Sequence, residues 1–445
     1  MRLTIRQILE KVGETVTVSG WVHNRRDHGK LVFIDLRDRT GLLQLVGPSD
    51  ILGQFKSEDI VSITGQVNAR PEKLKNPKLE SGNIEIFVSS AQLVSKAAPL
   101  PIDFSVAQLE LNLPTLLDFR SLTLRHPKVK AVFQVQAALA SAFREASLSL
   151  GCTEVFVPTI SASATEGGAE VLPISYFGYD AFLVQSPQLY KQMMAGVFER
   201  VFTISHIYRA EPSITTRHLV ESVQLDCEIG FIENFEELLD ALESTFSKTI
   251  LKAQTQCAAQ LALLEVEPSK VDQKVPRLTM REAQEIIFKR TGVDHRTEKD
   301  LMPEDEREIA AWALEEHGSD LVTITHFPTL KRAFYSMPDP KDPAYCLSYD
   351  LLYKGLEIAS GAQRIHIYDD LVASIKSRGL DPKSFTMYLQ AFEYAMPPHG
   401  GFSYGLERAT MKLLNLGNIR EASLFPRDME RVDLPLKVLQ PDKLS

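Results

Sequence analysis

Side chains that could bind a nucleotide are concentrated in one short charged stretch of the chain. Arg209 and Glu211 begin this stretch, and Arg217 and His218 follow shortly after. An arginine presents a fixed fork of donors that suits phosphate oxygens, and a glutamate accepts from an amino group. Together these groups could hold a nucleoside triphosphate. The same composition is typical of a solvated hairpin tip, so both interpretations stay open for this stretch alone.

The segments on either side of this stretch have the pattern of β-strands. Residues 201–208 and 223–231 alternate apolar with polar positions and are rich in β-branched and aromatic residues. Two such strands joined by a charged turn predict a long antiparallel hairpin over residues 201–231, with the charged residues at its tip.

A second group of oxygen-bearing side chains lies in residues 348–366. Asp350 comes first, Glu357 follows it, and Ser360 comes next. Carboxylate and hydroxyl oxygens are ligands that Mg²⁺ prefers, so these three residues could share a divalent cation. Two unrelated surface acids would give the same spacing.

Two cations are predicted near the beginnings of helices, where the helix dipole favours anions. Pro187 predicts a helix start that places Lys191 close to it, and Gly405 predicts another with Arg408 in the first turn. A ligand that carries negative charge would explain both positions. For Arg408, an ordinary amphipathic helix is the alternative.

Residues 161–170 form a predicted loop of small residues and glycine that contains one early acid, Glu166. A loop of this kind can open and close over a ligand. It is equally compatible with an ordinary surface loop.

The first hundred residues are predicted to form a small closed β-barrel of the OB type. Arg26, Phe33 and Gln44 fall on its first three strands, where aromatic and polar side chains can stack on and bind single-stranded bases. A buried Phe33 beside solvated arginines fits the pattern equally well, because barrel strands alternate inward and outward whatever they bind. Five apolar-rich runs, separated by Gly, Asp, Asn and Pro, predict the strands: residues 15–22, 31–36, 42–46, 60–67 and 84–88.

Length and composition indicate a multidomain globular protein. With 445 residues the chain is too long for one ordinary core, and we predict domains at residues 1–100 and 116–445 with a linker at 101–115. The net charge of −9 argues against a surface coated with nucleic acid. The four cysteines form no CxxC pair, which favours a reducing, cytoplasmic compartment over a disulfide framework or a zinc site. No apolar run reaches the roughly 18 residues needed to span a membrane.

Several of these stretches together resemble the class IIb aminoacyl-tRNA synthetases, most closely the compact archaeal and eukaryotic aspartate type. Residues 151–158 resemble the first family motif, whose proline lies at a dimer interface. The strings YRAE (208–211) and TRHL (216–219) resemble the second motif, and GLER (405–408) with FPRD (425–428) resembles the third. Residues 21–38, WVHNRRDHGKLVFIDLRD, resemble the anticodon-binding barrel of the family.

The resemblance implies a fold, a reaction and its partners. The implied fold is α+β and multidomain, with a five-stranded OB barrel and a catalytic domain built on a mainly antiparallel sheet with flanking helices. The implied reaction is ATP-dependent activation of L-aspartate and its transfer to tRNA(Asp), with Mg²⁺ as cofactor, in a cytoplasmic homodimer. Arg209 and Arg408 are the implied catalytic residues.

The resemblance also assigns residues to subsites. The implied ATP site consists of Arg209, Ala210, Glu211, Arg217, His218, Leu219, Glu357, Gly405, Leu406, Glu407 and Arg408. The implied aspartate site consists of Glu166, Gln188, Leu189, Tyr190, Lys191, Arg209, Ser360 and Arg364. The implied Mg²⁺ ligands are Asp350, Glu357 and Ser360, and the implied anticodon contacts are Arg26, Phe33 and Gln44.

The amino acid is predicted to be aspartate, with an asparaginyl-tRNA synthetase as the alternative. Lys191 ends the string QSPQLYK, where asparagine enzymes carry an acid. Lys191 and Arg364 could converge on a carboxylate, and a neutral amide would leave their charge poorly compensated. His23 and Pro77 resemble the relaxed form, which also charges tRNA(Asn). Ser222 stands where many relatives have an aromatic residue against adenine, and residues 212–215 also differ from the usual loop.

Overall fold

A computed structural model describes residues 2–77, 79–103, 105–106, 108–162 and 170–439 of the chain. The chain divides into two compact units, Met1–Glu110 and Leu111–Ser445. The division falls within the predicted linker, residues 101–115. None of the helices in these described ranges is long and apolar enough to cross a membrane.

The first unit is a closed five-stranded barrel with the strand order β1-β2-β3-β5-β4. This confirms the predicted OB-type barrel. Short 3₁₀ helices lie at Arg6–Ile8 and Glu72–Leu74. The strands and a short α-helix are β1 (Thr15–His28), β2 (Leu31–Arg37), β3 (Leu42–Pro48), α1 (Ser49–Leu52), β4 (Ile60–Ala69) and β5 (Ile84–Ser95).

Alternation along β2 separates the barrel core from its outer face. Val32, Ile34 and Leu36 are fully buried in the core. Phe33 and Asp35 lie between them on the outer face and are partly exposed. Successive side chains of a strand point to opposite faces, so Phe33 cannot belong to the same core. The alternative of a core Phe33 is therefore wrong.

The second unit contains most of the helices and a large mixed sheet. Its first elements are α2 (Leu113–Asp118), α3 (Arg120–Thr123), α4 (Pro127–Ser149), β6 (Thr153–Glu154), β7 (Ile160–Ser161), β8 (Leu172–Tyr176), β9 (Tyr179–Leu183), α5 (Gln188–Phe198), β10 (Arg200–Tyr208), β11 (Glu221–Gly230), α6 (Glu236–Gln256) and α7 (Ala258–Leu263). They are followed by β12 (Arg277–Thr279), α8 (Met280–Thr291), α9 (Pro303–His317), β13 (Leu321–Thr325), β14 (Ser348–Tyr353), β15 (Leu356–Gln363), α10 (Tyr368–Ser377), α11 (Thr386–Glu393), β16 (His399–Gly405), α12 (Leu406–Leu413) and α13 (Leu436–Leu439). Further 3₁₀ helices lie at Thr329–Lys331, Pro382–Phe385 and Ile419–Ala422.

The large sheet has the strand order β12-β13-β14-β15-β16-β11-β10-β6. Its outermost pairs, β12–β13 and β6–β10, are parallel, and the pairs between them are antiparallel. β10 and β11 form the predicted hairpin, paired from Arg200 with Ile229 to Tyr208 with Glu221. A three-stranded sheet, β7-β9-β8, accompanies the large one. The predicted α+β fold class is confirmed.

Helices α4 and α6 cover one face of the large sheet and leave the other face for a site. Phe143 of α4 and Phe246 of α6 both contact Tyr404 of β16 edge to face, each with ring centroids 5.3 Å apart. Leu225 pairs with Tyr404 across the β11–β16 ladder and joins the same core. Neighbouring positions, such as Gln224 on β11, therefore point to the opposite face.

Candidate active site

A cavity of about 420 Å³ lies over the face of the sheet opposite α4 and α6. Ser222 and Gln224 of β11, Ser360 of β15 and Ser403 of β16 form part of its floor. Asp226 pairs with Ser403, and Ser360 pairs with Ser403, so the three strands present the same face here. Strand alternation thus converts the polar positions of β11, β15 and β16 into one continuous polar surface.

Three arginines and a histidine form one end of the cavity. Arg209 follows β10 directly, and its backbone N–H donates to the Val220 carbonyl at 2.9 Å. Arg217 and His218 lie on the loop between β10 and β11, and Arg408 lies in the first turn of α12. The structure therefore brings together the charged residues of the predicted second and third motifs.

The pKa of His218 shows how positive this end is. Burial, together with the positive charges of Arg408, Arg217 and Arg209, lowers the pKa of His218 to about 4. Its Nδ1 lies 2.9 Å from the Thr215 hydroxyl. At neutral pH the imidazole is therefore neutral, and the arginines supply the positive charge of this wall.

Four buried ionisable side chains lie near the other end of the cavity, and we call them the charge quartet: Lys191, Asp226, Glu228 and Arg364. Lys191 Nζ lies 2.9 Å from Asp226 Oδ1 and 3.4 Å from Glu228 Oε2. Arg364 Nε and Nη2 donate to the two carboxylate oxygens of Glu228 at 2.9 and 3.2 Å. The quartet contains two cations and two anions, so its formal charges balance.

Burial and pairing act in opposite directions within the quartet. Burial raises the pKa of Asp226, and Lys191 only partly offsets this effect. Burial alone would also raise the pKa of Glu228, but Arg364 and Lys191 outweigh it and lower that pKa. Burial opposes the charge of Arg364, but Glu228 raises its pKa above the usual range. Arg364 and Glu228 are therefore held as an ion pair.

This arrangement corrects the electrostatic reason given for aspartate selection. The prediction required Lys191 and Arg364 to be cations without ion-pair partners. In the structure Asp226 and Glu228 already balance their positive charges. Lys191 is 1% exposed and lies behind the cavity wall, where its Nζ also donates to the Phe402 carbonyl at 3.2 Å. Arg364 lines the cavity and donates to Gln188 Oε1 at 3.3 Å.

The predicted Mg²⁺ ligands form only part of the expected cluster. Arg332 Nη2 lies 2.5 Å from Asp350 Oδ2, and its Nη1 donates to Ser360 Oγ at 3.0 Å. A guanidinium thus occupies the position between Asp350 and Ser360 in which the sequence placed a cation. Over the described ranges of the chain, no group of three or more His, Cys, Asp or Glu side chains is arranged to hold a metal ion.

Glu357 remains on the cavity wall as an oxygen donor. Burial and the neighbouring Asp350 raise its pKa to about 7, against the opposing effects of Arg408 and Arg332. Arg408 Nη1 donates to the Glu357 carbonyl at 3.0 Å, which joins the start of β15 to α12. A carboxylate with a raised pKa is stabilised in its ionised form by any cation that binds beside it.

Two family descriptions match the chain along most of its length. Residues 112–429 match tRNA synthetases class II (D, K and N), and residues 16–94 match the OB-fold nucleic acid binding domain. The chain belongs to the class II tRNA synthetases. The resemblance inferred from the motifs is confirmed.

Relatives of this class II synthetase match it over nearly the whole chain. It is 42% identical to aspartate–tRNA(Asp) ligase of Pyrococcus horikoshii, over 94% of this chain and 96% of that protein. It is 40% identical to aspartate–tRNA(Asp/Asn) ligase of Deinococcus radiodurans, over 97% of this chain and 98% of that protein. A crystal structure of asparaginyl-tRNA synthetase from Pyrococcus horikoshii complexed with asparaginyl-adenylate matches with a TM-score of 0.89 and 30% identity, covering 98% of this chain and 100% of that one. The fold is thus shared by relatives named for both amino acids.

The synthetase cavity collects many of the residues that the sequence assigned to ATP and aspartate. Glu407 lies on its wall and accepts from the Val223 backbone N–H at 3.0 Å; burial raises its pKa to about 7. The assigned residues on the lining are Gln188, Arg209, Glu211, Arg217, His218, Leu219, Glu357, Ser360, Arg364, Gly405, Glu407 and Arg408. Those placed elsewhere in the described part of the chain are Leu189, Tyr190, Lys191, Ala210, Asp350 and Leu406. Glu166 lies outside the described residues.

Sequence reasoning missed several charged residues around the cavity. Asp226 and Glu228 carried a local signal, because they alternate with apolar residues along β11 and so fall on the face that bears Gln224. Arg332 and Glu306 carried none, since they come from segments between the motifs. The contact of Arg217 with Glu306 joins residues 89 positions apart.

In the barrel, the predicted anticodon residues share the outer face. Arg26 forms an ion pair with Asp35 at 3.1 Å. Gln44 lies on β3, and its Nε2 donates to Glu85 at 2.8 Å. Phe33 pairs with Val46, and Val46 pairs with Phe87, which the sequence analysis missed and which is 49% exposed. Two aromatic rings thus flank one valine on this face.

The two residues predicted to discriminate between tRNAs differ in exposure. His23 is 8% exposed, and its Nδ1 lies 3.0 Å from Arg37 Nη1. Pro77 lies in an exposed turn before β5. Pro77 is therefore accessible for direct contact with RNA, whereas His23 is buried and contacts Arg37.

Proposed function

We propose that this class II synthetase is an aspartate–tRNA ligase that activates L-aspartate with ATP and transfers it to the 3′ end of tRNA(Asp). The observation that carries the proposal is a single cavity with an arginine-rich wall at one end and the charge quartet at the other. The first end suits phosphates, and the second suits a small charged amino acid. The names of the two relatives at 40% and 42% identity support aspartate.

In the first step, the aspartate α-carboxylate attacks the α-phosphorus of ATP, and pyrophosphate leaves. Arg209 holds the α-phosphate and offsets the negative charge that develops there, and Glu211 accepts from the adenine amino group. Arg217 and Arg408 hold the outer phosphates beside a neutral His218. The reaction has its own nucleophile, so the protein contributes positioning and electrostatic stabilisation.

Mg²⁺ fits the oxygen donors on the cavity wall. Glu357 and Ser360 line the cavity, and the raised pKa of Glu357 marks a carboxylate that a cation would stabilise. A cation held by these residues would supply positive charge that offsets the charge of the phosphates. We assign Glu357 and Ser360 to it, and assign Asp350 to fixing Arg332, with which it pairs.

Amino-acid selection depends on Arg364 and the groups around it. Arg364 and Gln188 contact the aspartate side chain from the cavity wall. Lys191 lies behind that wall and balances the negative charge of Asp226. An acid at position 191, as in the asparagine type, would shift the charge of the quartet by two units towards negative and would disfavour a carboxylate substrate. Glu166 is assigned to the substrate ammonium group by resemblance alone.

In the second step the terminal ribose hydroxyl of the tRNA takes the aspartyl group. The barrel binds the anticodon, with Phe33 stacking on a base and Arg26 and Gln44 supplying polar contacts. Phe156 is 88% exposed within the predicted first motif and supports the proposal of a homodimer. A cytoplasmic location belongs to the same proposal.

Pyrophosphate exchange with aspartate and with asparagine, measured separately, tests the activity. We expect aspartate to support exchange with a kcat/KM at least about 100-fold above that of asparagine, because the site is built for a charged group. The Arg209→Ala variant, with its wall arginine removed, is the matched inactive control. Exchange with asparagine alone would replace this proposal by the asparaginyl alternative. Exchange with neither amino acid would refute both.

Charging of tRNA(Asp) and tRNA(Asn) transcripts side by side tests a second candidate, a ligase that accepts both. His23 and Pro77 favour it by their resemblance to the relaxed form, and the Deinococcus radiodurans relative has the Asp/Asn name. We expect both transcripts to be charged with aspartate. Charging of tRNA(Asp) alone would restrict the function to the strict form.

A further inference from the structure

Glu306 lies on α9, in a part of the chain to which the sequence assigned no role. Its side chain is buried, and one carboxylate oxygen makes two contacts. Glu306 Oε2 lies 3.4 Å from Arg217 Nη1 and accepts from the Glu357 backbone N–H at 3.3 Å. A single oxygen thus joins the β10–β11 loop to the start of β15.

The same peptide segment also holds the second arginine of the phosphate end. Arg408 Nη1 donates to the Glu357 carbonyl at 3.0 Å. Arg217 is therefore held through Glu306 at the Glu357 N–H, and Arg408 is held directly at the Glu357 carbonyl. The two arginines that come from distant elements, the loop and α12, share one backbone anchor.

A buried carboxylate near a phosphate site is unfavourable unless it has a compensating role. Burial raises the pKa of Glu306, whereas Arg217 and Arg408 lower it. Arg217 and Glu357 line the cavity and Glu306 does not, so Glu306 contacts the arginine from behind the cavity wall. Because a guanidinium has five donors, Arg217 can keep this contact while it also binds a phosphate.

We propose that Glu306 is a positioning residue that orients Arg217 and the Glu357 peptide for the outer phosphates of ATP. The proposal rests on the proposed function, since it assumes that this end of the cavity binds a nucleotide. Glu306 does not touch the substrate and acts through Arg217. Its loss therefore weakens ATP binding and leaves the amino-acid end unchanged.

Calorimetric titration with ATP and exchange kinetics test the proposal with a set of matched variants. Glu306→Ala is expected to weaken ATP binding and raise the KM for ATP about 10-fold, as loss of a charge-assisted hydrogen bond does. The KM for aspartate should stay within about 2-fold, because the charge quartet is untouched. Glu306→Gln keeps an acceptor oxygen, so its KM for ATP should lie between the values of wild type and Glu306→Ala. Glu304→Ala, on an exposed position of the same helix, is the control and should match wild type.

A double-mutant cycle separates this role from a merely structural one. If Glu306 acts through Arg217, Glu306→Ala should change ATP affinity by less than about 2-fold in an Arg217→Ala background. Full additivity of the two changes, or an equal rise in the KM for aspartate, would overturn the proposal. Should Glu306→Ala fail to fold, the same cycle with Glu306→Gln applies.

Calorimetry with ATP alone also distinguishes a failure of the proposed function from a failure of the role proposed for Glu306. A wild-type protein that binds ATP but shows no exchange with aspartate contradicts the proposed function and leaves the role of Glu306 to be judged by the binding cycle. A wild-type protein that does not bind ATP overturns both.

Discussion

Replacing Arg364 by glutamine removes the guanidinium that faces the cavity and leaves Glu228 with Lys191 as its remaining ion-pair partner. In the native protein Arg364 donates to both oxygens of Glu228, to the Gly401 carbonyl at 3.0 Å and to Gln188. Glu228 is 0% exposed and Gln188 is also buried, so these acceptors have little access to water. The substitution therefore affects both folding and substrate binding, and the two effects can be estimated separately.

Breaking a buried ion pair from one side typically costs about 3–5 kcal/mol of folding stability. Lys191 Nζ remains 3.4 Å from Glu228, so we expect a loss of about 3 kcal/mol, near the lower end of that range. For catalysis, a charge-assisted hydrogen bond to the substrate carboxylate contributes about 1.5–3 kcal/mol. The kcat/KM for aspartate should therefore fall roughly 10- to 150-fold, since about 1.4 kcal/mol corresponds to a factor of ten.

Urea unfolding and pyrophosphate exchange measure these two losses in the same preparations. The matched control is the double variant Glu228→Gln with Arg364→Gln, in which both charges are removed and two amides face each other. Removing one partner of a buried pair is costly because it leaves an uncompensated buried charge, and the double variant leaves none at this pair. We expect the double variant to recover most of the folding stability and none of the aspartate activity, with the KM for ATP near the wild-type value.

Recovery of aspartate activity together with stability would refute this reasoning. It would mean that Arg364 holds Glu228 in place and makes no contact with the substrate. A rise in the KM for ATP as large as the rise for aspartate would also contradict the assignment, because Arg364 lies at the end of the cavity opposite the three arginines.

Burial raises the pKa of Glu407 to about 7, so the folded state binds this proton more tightly than the unfolded chain does. The raised pKa stabilises the folded state at low pH, and this stabilisation is lost as the pH rises through the folded-state pKa. Between about pH 4 and pH 8, the free energy of unfolding of the Glu407→Gln variant should therefore rise by about 3 kcal/mol relative to that of wild type, as measured by urea unfolding. The pKa of His218, about 4 in the free protein, should rise when ATP phosphates offset the neighbouring arginines. Titration of its ring signal by nuclear magnetic resonance, identified with His218→Gln, measures this shift, and an unchanged pKa with bound ATP would contradict the phosphate assignment. Phe33→Ala should raise the KM for tRNA about 10-fold, since a stacked base contributes about 1–3 kcal/mol, and should leave tRNA-independent pyrophosphate exchange unchanged; a parallel loss of exchange would point to misfolding instead.

Local sequence signals predicted the main elements wherever both ends of an element carried one. Pro127 and Gly151 are typical helix boundary residues and predict a helix over residues 127–149, and α4 spans Pro127–Ser149. Residues 153–157, which precede Pro158, predict a short strand, but β6 contains only Thr153 and Glu154, which pair with β10. The amphipathic pattern of residues 236–264 predicts one long helix, but the structure divides it into α6 and α7 at Cys257, where the backbone leaves the helical region. These limits depend on tertiary neighbours, which the local pattern does not contain.

The candidate site could be predicted only where its residues lie in recognisable motifs. Arg209 and Arg408 carried such a signal, and the structure places both on one cavity. Arg332 had no local signature, because its role depends on β14 bringing Asp350 beside it. The same holds for Glu306, whose partner Arg217 is 89 positions away. A sequence reveals residues that lie in one segment more readily than residues that form an ion pair across distant segments.

The charge quartet changes how selectivity for a carboxylate should be understood. A cation without a partner, as the sequence argument assumed for Lys191, would be costly to bury in the free enzyme. In the structure Asp226 and Glu228 remove that cost, and the site is electrically balanced before any substrate binds. Selection must then come from which donors still face the cavity, and Arg364 presents its guanidinium there beside Gln188. Under the proposed function, Lys191 would keep Asp226 and Glu228 from repelling a substrate carboxylate. One substitution at that buried position would then change the preferred amino acid without altering any group on the cavity wall.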